Sequence, residues 1–398
     1  MSSGAEHESF RASVRAFVAA EIAPHVNAWV AAETFPRELY RRAAHVGLLG
    51  LGCPEACGGT PADGWYRPVA TEEIARAGSG GLTASLFSHN IGLPPNITHA
   101  SEALKQRVVP GVLAGDEIAA LAITEPSGGS DVARLRCTAG RESSDQVDHW
   151  VITGDKTFIT SGMRADWITL AVRTGSPGAA GISLIAVPGS TPGLTGTPPA
   201  KMGWWCSDTA QLHFEACRVP ADHLIGTENA GFRMLMENFN GERLLMLAGA
   251  CAFAQVCFDE APDWARRRKT FGIALVEHQV TRHKLMAMRM RLAGTQARLH
   301  AMVSRQEAGQ TGPEWVAELC LLKNHATQTM QWCADAAVQI LGGMGFMRGT
   351  RSGRIYREAK VDDDRRRCRR DHEGTGRKTV GDMRPPIDGD RRLLPFCP

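Results

Sequence analysis

Beyond residue 231, apolar side chains recur at three- and four-residue spacing through three long segments, near 231–268, 277–308 and 313–341. The run Gly309-Gln310-Thr311-Gly312-Pro313 marks a break between the last two, because glycine ends a helix and proline restarts one. Helices of that length cannot hide their apolar faces alone. They must pack antiparallel against one another as a bundle.

Upstream the pattern differs. From about Glu6 to Val109 the period is again helical, with Phe10, Val14, Phe17 and Val18 recurring before Pro24 interrupts, and further helices are expected at 36–47, 66–77 and 99–109 around the turn-rich "CGGTPADG". Between these helical parts lie short β-rich runs, "IAALAIT", "HWVITGDKTFIT", "WITLAVRT", "GISLIAVP" and "TAQLHFEACRVP". Strands at that spacing with no helix between them predict an antiparallel barrel or sandwich over roughly 118–222. The expected class is α+β multidomain: a helical domain at 1–117, a β-domain at 118–222 and a helical bundle at 231–361, with no internal repeat.

A chain of 398 residues can bury a sizeable core, and 43% hydrophobic content is ordinary for a globular protein. The formal net charge of +3 gives no argument for nucleic acid or a membrane surface. Eleven scattered cysteines fit no zinc spacing and read as reduced thiols; Cys53 and Cys57 lie four apart without forming a CxxC pair. No metal is expected. "MSSGAEHESFRASVRAF" does not resemble a signal peptide, and no run of about 18 apolar residues occurs, so a cytoplasmic protein is expected.

Three stretches could carry chemistry. "LAITEPSGGSD" (121–131) ends a strand in a loop whose N–H groups and hydroxyls could donate to an anionic or carbonyl-rich ligand, or form an ordinary turn. "KTFITSG" (156–162) would place Phe158 and Thr160 on one strand face, an aromatic beside a hydroxyl, suited to a flat heteroaromatic ring or simply to a half-buried strand. "RRRKTFG" (266–272) and "EHQ" (277–279) bracket a helix junction that could equally be a basic surface patch.

In order and in combination, these stretches are more specific. "LAITEPSGGSDVA", "ITGDKTFITSG", "KMGWWCSDTAQLHFEACRVPADHLIG", "RRRKTFGIALVEHQ" and "VQILGGMGF" together resemble the acyl-CoA dehydrogenase family, from about residue 8 to Val361. The resemblance implies an N-terminal α-helical domain, a middle β-domain and a C-terminal four-helix domain. It also implies a homotetramer or homodimer, noncovalent FAD between subunits, an acyl-CoA substrate and an electron-transfer flavoprotein as electron acceptor. Carried over by motif, Thr124 and Ser130 would contact the flavin, and Phe158, Ile159 and Thr160 would flank its ring. Phe158 stands where many members have Trp. Arg268, Thr270, Phe271 and Gln279, with Gln339, Gly342 and Gly343, would meet the adenine and pyrophosphate end, where glycine permits close backbone approach.

The family reaction needs a carboxylate over the substrate α-carbon in a dry site. Members carry it either in a C-terminal "YEG" loop or on the helix that opens the C-terminal domain. Here "NFNGERLLMLAGA" puts Glu242 and Arg243 at the second place, while counting from "YREAKV" puts Arg366 at the first, where guanidinium cannot act as a base. Glu242 is therefore the expected base, with Ser130, Asn240 and Arg243 as substrate contacts. A generic first-turn glutamate, exposed and favoured by the helix dipole, is the alternative.

The tail at 362–398 departs from the family. Asp-Asp-Asp-Arg-Arg-Arg-Cys can be encoded GAT GAC GAT CGG CGG CGG TGC; one base later this reads ATG ACG ATC GGC GGC GGT GC, or Met-Thr-Ile-Gly-Gly-Gly-Ala. Continuing through Lys378 with permitted codons gives "MTIGGGAEEIMKELAAR", which looks like the family ending. The tail is read as out of frame from about residue 361 or 362. Its Glu373-Gly374-Thr375 imitates a family motif seven residues past the expected place. A nucleic-acid arm is disfavoured because acids interrupt the arginines and no aromatics interleave. The expected activity is α,β-dehydrogenation of an acyl-CoA. A flavin oxidase or monooxygenase on the same fold, or a remnant unable to keep FAD, are the alternatives.

Overall fold

The computed structural model describes residues 4–143 and 148–364. The first helix, α1 (Ala5–Phe17), runs on through a π-helical turn at Val18–Ile22 and stops before Pro24, which has no N–H to extend it. After it come α2 (Val26–Ala31), α3 (Glu38–His45), α4 (Tyr66–Ala75), α5 (Gly80–Leu86), α6 (His89–Gly92), α7 (Pro94–His99) and α8 (Glu102–Leu113). Sequence spacing finds α3, α4 and α8 but passes over α5 to α7. Their glycines and prolines read as loop, although Ser79 caps α5 by accepting from the Leu82 N–H and Pro94 occupies the first turn of α7. Arg11 and Arg15 of α1 both reach the buried Glu73 carboxylate of α4, at 3.0 and 2.9 Å, which fixes α1 across α4.

The β-domain holds β1 (Ala119–Ala122), β2 (Thr138–Glu142), β3 (His149–Ile159), β4 (Trp167–Arg173), β5 (Ile182–Pro188), β6 (Leu194–Thr197), β7 (Ala210–Pro220) and β8 (Leu224–Ile225). The sheet order is β6-β7-β3-β2-β4-β5-β8, with β1 added alongside β4. Most pairings are antiparallel, as expected; β1 pairs with β4 in parallel, Ala120 opposite Ile168. Trp150, Ile152, Leu170, Val187 and Phe214 fill the interior from alternate positions of their strands. The short strands β2, β6 and β8 escape the sequence reading because their residues are mostly exposed or too few to show alternation.

The third part is the bundle. α9 (Gly231–Arg267) leads through the hairpin β9 (Lys269–Thr270) and β10 (Ile273–Ala274) to α10 (Gln279–Glu307), α11 (Pro313–Leu341), the short α12 (Gly343–Phe346) and α13 (Arg351–Asp364). The three long helices fall within two residues of their expected bounds. By length and composition α9 could cross a membrane, but most of its apolar window is buried against α4 and α11, as in the core helix of a bundle. The tail from 365 onward lies outside the described residues.

Candidate active site

The loop 123–131 and strand β3 are joined by buried bonds. Lys156 Nζ, fully buried, donates to the Ile123 carbonyl at 3.0 Å and to Glu125 Oε1 at 2.8 Å, and the Thr157 N–H donates to the Thr124 carbonyl at 2.8 Å. Glu125 also accepts from the N–H groups of Arg136 (2.6 Å) and Cys137 (2.9 Å). Burial alone would raise the Glu125 pKa, but the Lys156 charge and these donors outweigh it and hold the carboxyl below its ordinary range. Burial lowers the Lys156 pKa. The two expected flavin segments, Thr124 to Ser130 and Phe158 to Thr160, are thereby brought side by side.

Phe158 and Thr160 do not share a strand face. The register of β3 against β7 slips between Lys156 and Ile159, so two residues oppose one, and Phe158 sits in this bulge at φ +59°. Thr160 lies in the turn past the strand end, followed by Ser161 at φ +62°. Alternation along an unbroken strand does not survive a bulge. The result leaves the Phe158 ring 68% exposed, while Ile159 is buried in the core of the β-domain and offers only its backbone. Left-handed phenylalanine is uncommon, and such strain persists where the surroundings impose it.

Glu242 lies in the fourth turn of α9, not at a helix start, and is 4% exposed. This removes the exposed first-turn reading. Glu242 is among the residues lining a cleft between α9 and the α4–α6 segment, to which Asp362 of α13 also contributes. Arg243, also buried, donates from Nη1 to Asn240 Oδ1 at 2.8 Å, so the expected substrate-contact pair is assembled one turn apart on the same helix. Ser130 is exposed on its loop.

Glu358, which sequence reasoning missed, props the cleft wall. From α13 it accepts from the N–H of Gly80 at 2.7 Å and of Trp204 at 3.2 Å, and both of those residues line the cleft. Burial pushes its carboxyl up to about 7, against the pull of the Gly80 N–H and Arg354. Arg354, one turn earlier, donates to the carbonyls of Gly78 and Ala77 and to Asn27 Oδ1. The available signal was "YREAK", an acidic residue on the apolar face of a helix.

The remaining expected contacts sit elsewhere on the bundle. Phe271-Gly272 forms the two-residue turn between β9 and β10, both residues at positive φ, and the Phe271 ring is 99% exposed. Thr270 Oγ1 lies 2.9 Å from His278 Nε2; Arg268 and Gln279 are exposed on either side. Gln339, Gly342 and Gly343 are exposed at the end of α11, Gly342 at φ +60°. Among the described residues no hydrogen bond joins these two groups to the Thr124–Phe158 set.

Three family models match in succession: the acyl-CoA dehydrogenase N-terminal domain over residues 4–116, the middle domain over 120–217 and the C-terminal domain over 229–363. The long-chain specific acyl-CoA dehydrogenase of Sus scrofa mitochondria is 34% identical over 361 residues, covering 89% of this chain and 82% of that protein. A crystal structure of a probable acyl CoA dehydrogenase from Mycobacterium abscessus superposes with a TM-score of 0.91 at 41% identity, covering 95% of this chain and all of that one. A glutaryl-CoA dehydrogenase from Mycobacterium smegmatis, solved in complex with FADH2, shares the fold at a TM-score of 0.88 and 24% identity, covering 95% of each chain. With its three domains matched in order over residues 4–363 and its architecture shared, the chain belongs to the acyl-CoA dehydrogenase family of oxidoreductases.

Proposed function

We propose that this protein dehydrogenates an acyl-CoA thioester to the trans-2-enoyl-CoA, with Glu242 removing the α-proton. The observation that carries this is the placement of a buried carboxylate in the wall of the cleft between α9 and α4–α6, beside an Asn240–Arg243 pair able to hold the polar end of a substrate. A positioned base contributes about 10²–10⁴ in rate, and burial keeps it out of competition with bulk water.

The chain's own residues fit FAD. The exposed Phe158 ring offers a flat apolar face beside the polar Thr124 and Thr160, and Gly342 adopts a backbone conformation that a side chain would strain. When bound, FAD would supply the hydride acceptor; the M. smegmatis relative with FADH2 supports that cofactor for this fold. Arg268, Thr270, Phe271, Gln279 and the Gln339–Gly343 corner would hold the nucleotide end. Their exposure, with Met290 and Phe346 bare on the same bundle, supports a second copy of the chain covering them in a dimer or tetramer. Electrons would leave to an electron-transfer flavoprotein, as the family resemblance implies.

The test is anaerobic bleaching of the bound flavin by acyl-CoA, run on the chain as given and on one with the tail restored to "MTIGGGAEEIMKELAAR". Glu242→Gln should keep CoA-thioester binding and lose about 10²-fold or more of the bleaching rate. Undiminished bleaching in that variant removes Glu242 from the role, and peroxide formation in air with turnover unchanged would assign an oxidase instead. Flavin retained only by the restored chain would locate the loss in the tail.

A further inference from the structure

Among the described residues that line the cleft with Glu242, Trp204 alone comes from the β-domain. It lies in the loop between β6 and β7, is 6% exposed and holds a left-handed conformation at φ +56°. A bulky residue keeps that conformation only where its surroundings impose it, and such positions cluster at functional sites.

The surroundings act from several sides. The Trp204 N–H donates to Glu358 Oε1 at 3.2 Å, and its carbonyl accepts from Lys201 Nζ at 3.0 Å and from the Ser207 N–H at 2.9 Å. Gly80 and Gly81 open α5 in a helical backbone that any residue can adopt, so what requires glycine there is space. A Cβ on Gly80 would collide with the Trp204 indole at Nε1, and a Cβ on Gly81 would come within 2.9 Å of the Trp204 Cα. α5 therefore starts where Trp204 lets it start. At the two ends of this helix, Ser79 Oγ lies 3.4 Å from Cys206 Sγ and Ser85 Oγ donates to Ser207 Oγ at 2.9 Å, so the loop follows α5 over its length.

The same loop reaches the segment expected to face a flavin. The Asp208 carbonyl accepts from the Met163 N–H at 3.4 Å, its Oδ1 accepts from Arg164 Nη2 at 3.1 Å, and Ala210 stands opposite Ile159 at the start of β7. Arg348 and Arg357 both lie over the Trp205 ring, at 4.7 and 4.8 Å, which fastens the loop to α13 and the residues before it. Loop 201–209 is a strut, with the turn at Thr160 at one end and the cleft wall at the other.

We propose that Trp204 is a positioning residue for the dehydrogenation: it sets the first turn of α5 against loop 201–209, and so fixes the cleft wall across from Glu242 relative to the turn at Thr160. This rests on the acyl-CoA reading above. A substrate has to meet the base and the hydride acceptor at once, and a misplacement of about 1 Å caused far from the chemistry can slow a reaction about 100-fold.

The experiment uses the full chain loaded with FAD. Trp204→Leu should slow anaerobic flavin bleaching at saturating acyl-CoA by about tenfold or more, while calorimetric affinity for S-butyl-CoA, a thioether that cannot be dehydrogenated, stays within about threefold. Trp204→Phe, which keeps an aromatic ring, should restore most of the rate. Gly80→Ala should give the same split with Trp204 intact, because the added methyl displaces the indole, and the double variant with Trp204→Leu should be no slower than the slower single one. Hydrogen exchange, which needs no flavin, should quicken together at the amides of Gly80, Leu82 and Met163 in Trp204→Leu, with thermal melting showing that each variant is folded. Rate and affinity falling in parallel, an unchanged rate, or faster exchange confined to residues 203–207 each overturn the proposal. Absence of thioether binding and of bleaching in the wild type would instead overturn the acyl-CoA reading itself, and this inference with it.

Discussion

Lys156 reaches from strand β3 into the loop after β1 and meets Glu125 at 2.8 Å, with both side chains out of solvent. That pair is the joint between the two segments expected to face a flavin.

Removing one partner should be worse than removing both. Lys156→Met leaves a buried carboxylate without its cation, which costs about 3–5 kcal/mol. Denaturant melting should show that loss, and the double variant with Glu125→Gln should recover part of it. Flavin content should fall with the single variant, because the 123–131 loop loses its anchor to β3. Unchanged melting of the single variant would mean that the pair contributes nothing to this joint.

Glu358 gives a pH dependence with a definite sign. Its folded pKa, pushed up by burial to about 7, exceeds the ordinary 4.5. The folded state then binds more protons than the unfolded one between those values, so the carboxyl's contribution is fully present below about pH 4.5 and lost as pH rises through about 7. The groups facing it include Arg354 and Asp362 of its own helix and the backbone N–H groups of Gly80 and Trp204. The denaturation midpoint should therefore decline from pH 5 to pH 8 in the wild type and decline less in Glu358→Gln. Parallel declines in both proteins would assign the dependence elsewhere.

Phe271 holds a left-handed conformation at a hairpin tip with its ring in solvent. Glycine adopts that conformation without strain. Phe271→Gly should leave the isolated chain at least as stable, yet weaken self-association by about thirtyfold if the ring is an anchor on a second copy. Sedimentation velocity across a concentration series measures it. Unaltered association would show that the ring is not part of an interface.

The long helices were legible because α9, α10 and α11 repeat their apolar faces over many turns, and the strands β3 and β7 because each alternates over its first five or six residues before its register shifts. The expectation for Glu242 came only through the family motif around it, and its burial could not be read locally, since a glutamate in a helix carries no mark of burial. Two things were hidden. The bulge that turns Phe158 outward depends on the register against β7, a relationship between distant residues rather than a local propensity. The role of Glu358 depends on α13 folding back onto Gly80, 278 residues earlier in the chain.

The placement of Glu242 within α9 has a consequence for control. A carboxylate carried on a loop is aimed only while the loop is shut, and local opening can switch it off. This one is a third of the way along a 37-residue helix whose neighbouring residues Leu244, Leu247 and Ala248 are in the bundle core. Dislodging it means dismantling the bundle, so the amides around it should exchange with solvent only when the whole domain opens. If Glu242 is the base proposed above, it would have no off state short of unfolding, and regulation of turnover would then fall to what enters the cleft or to how electrons leave it.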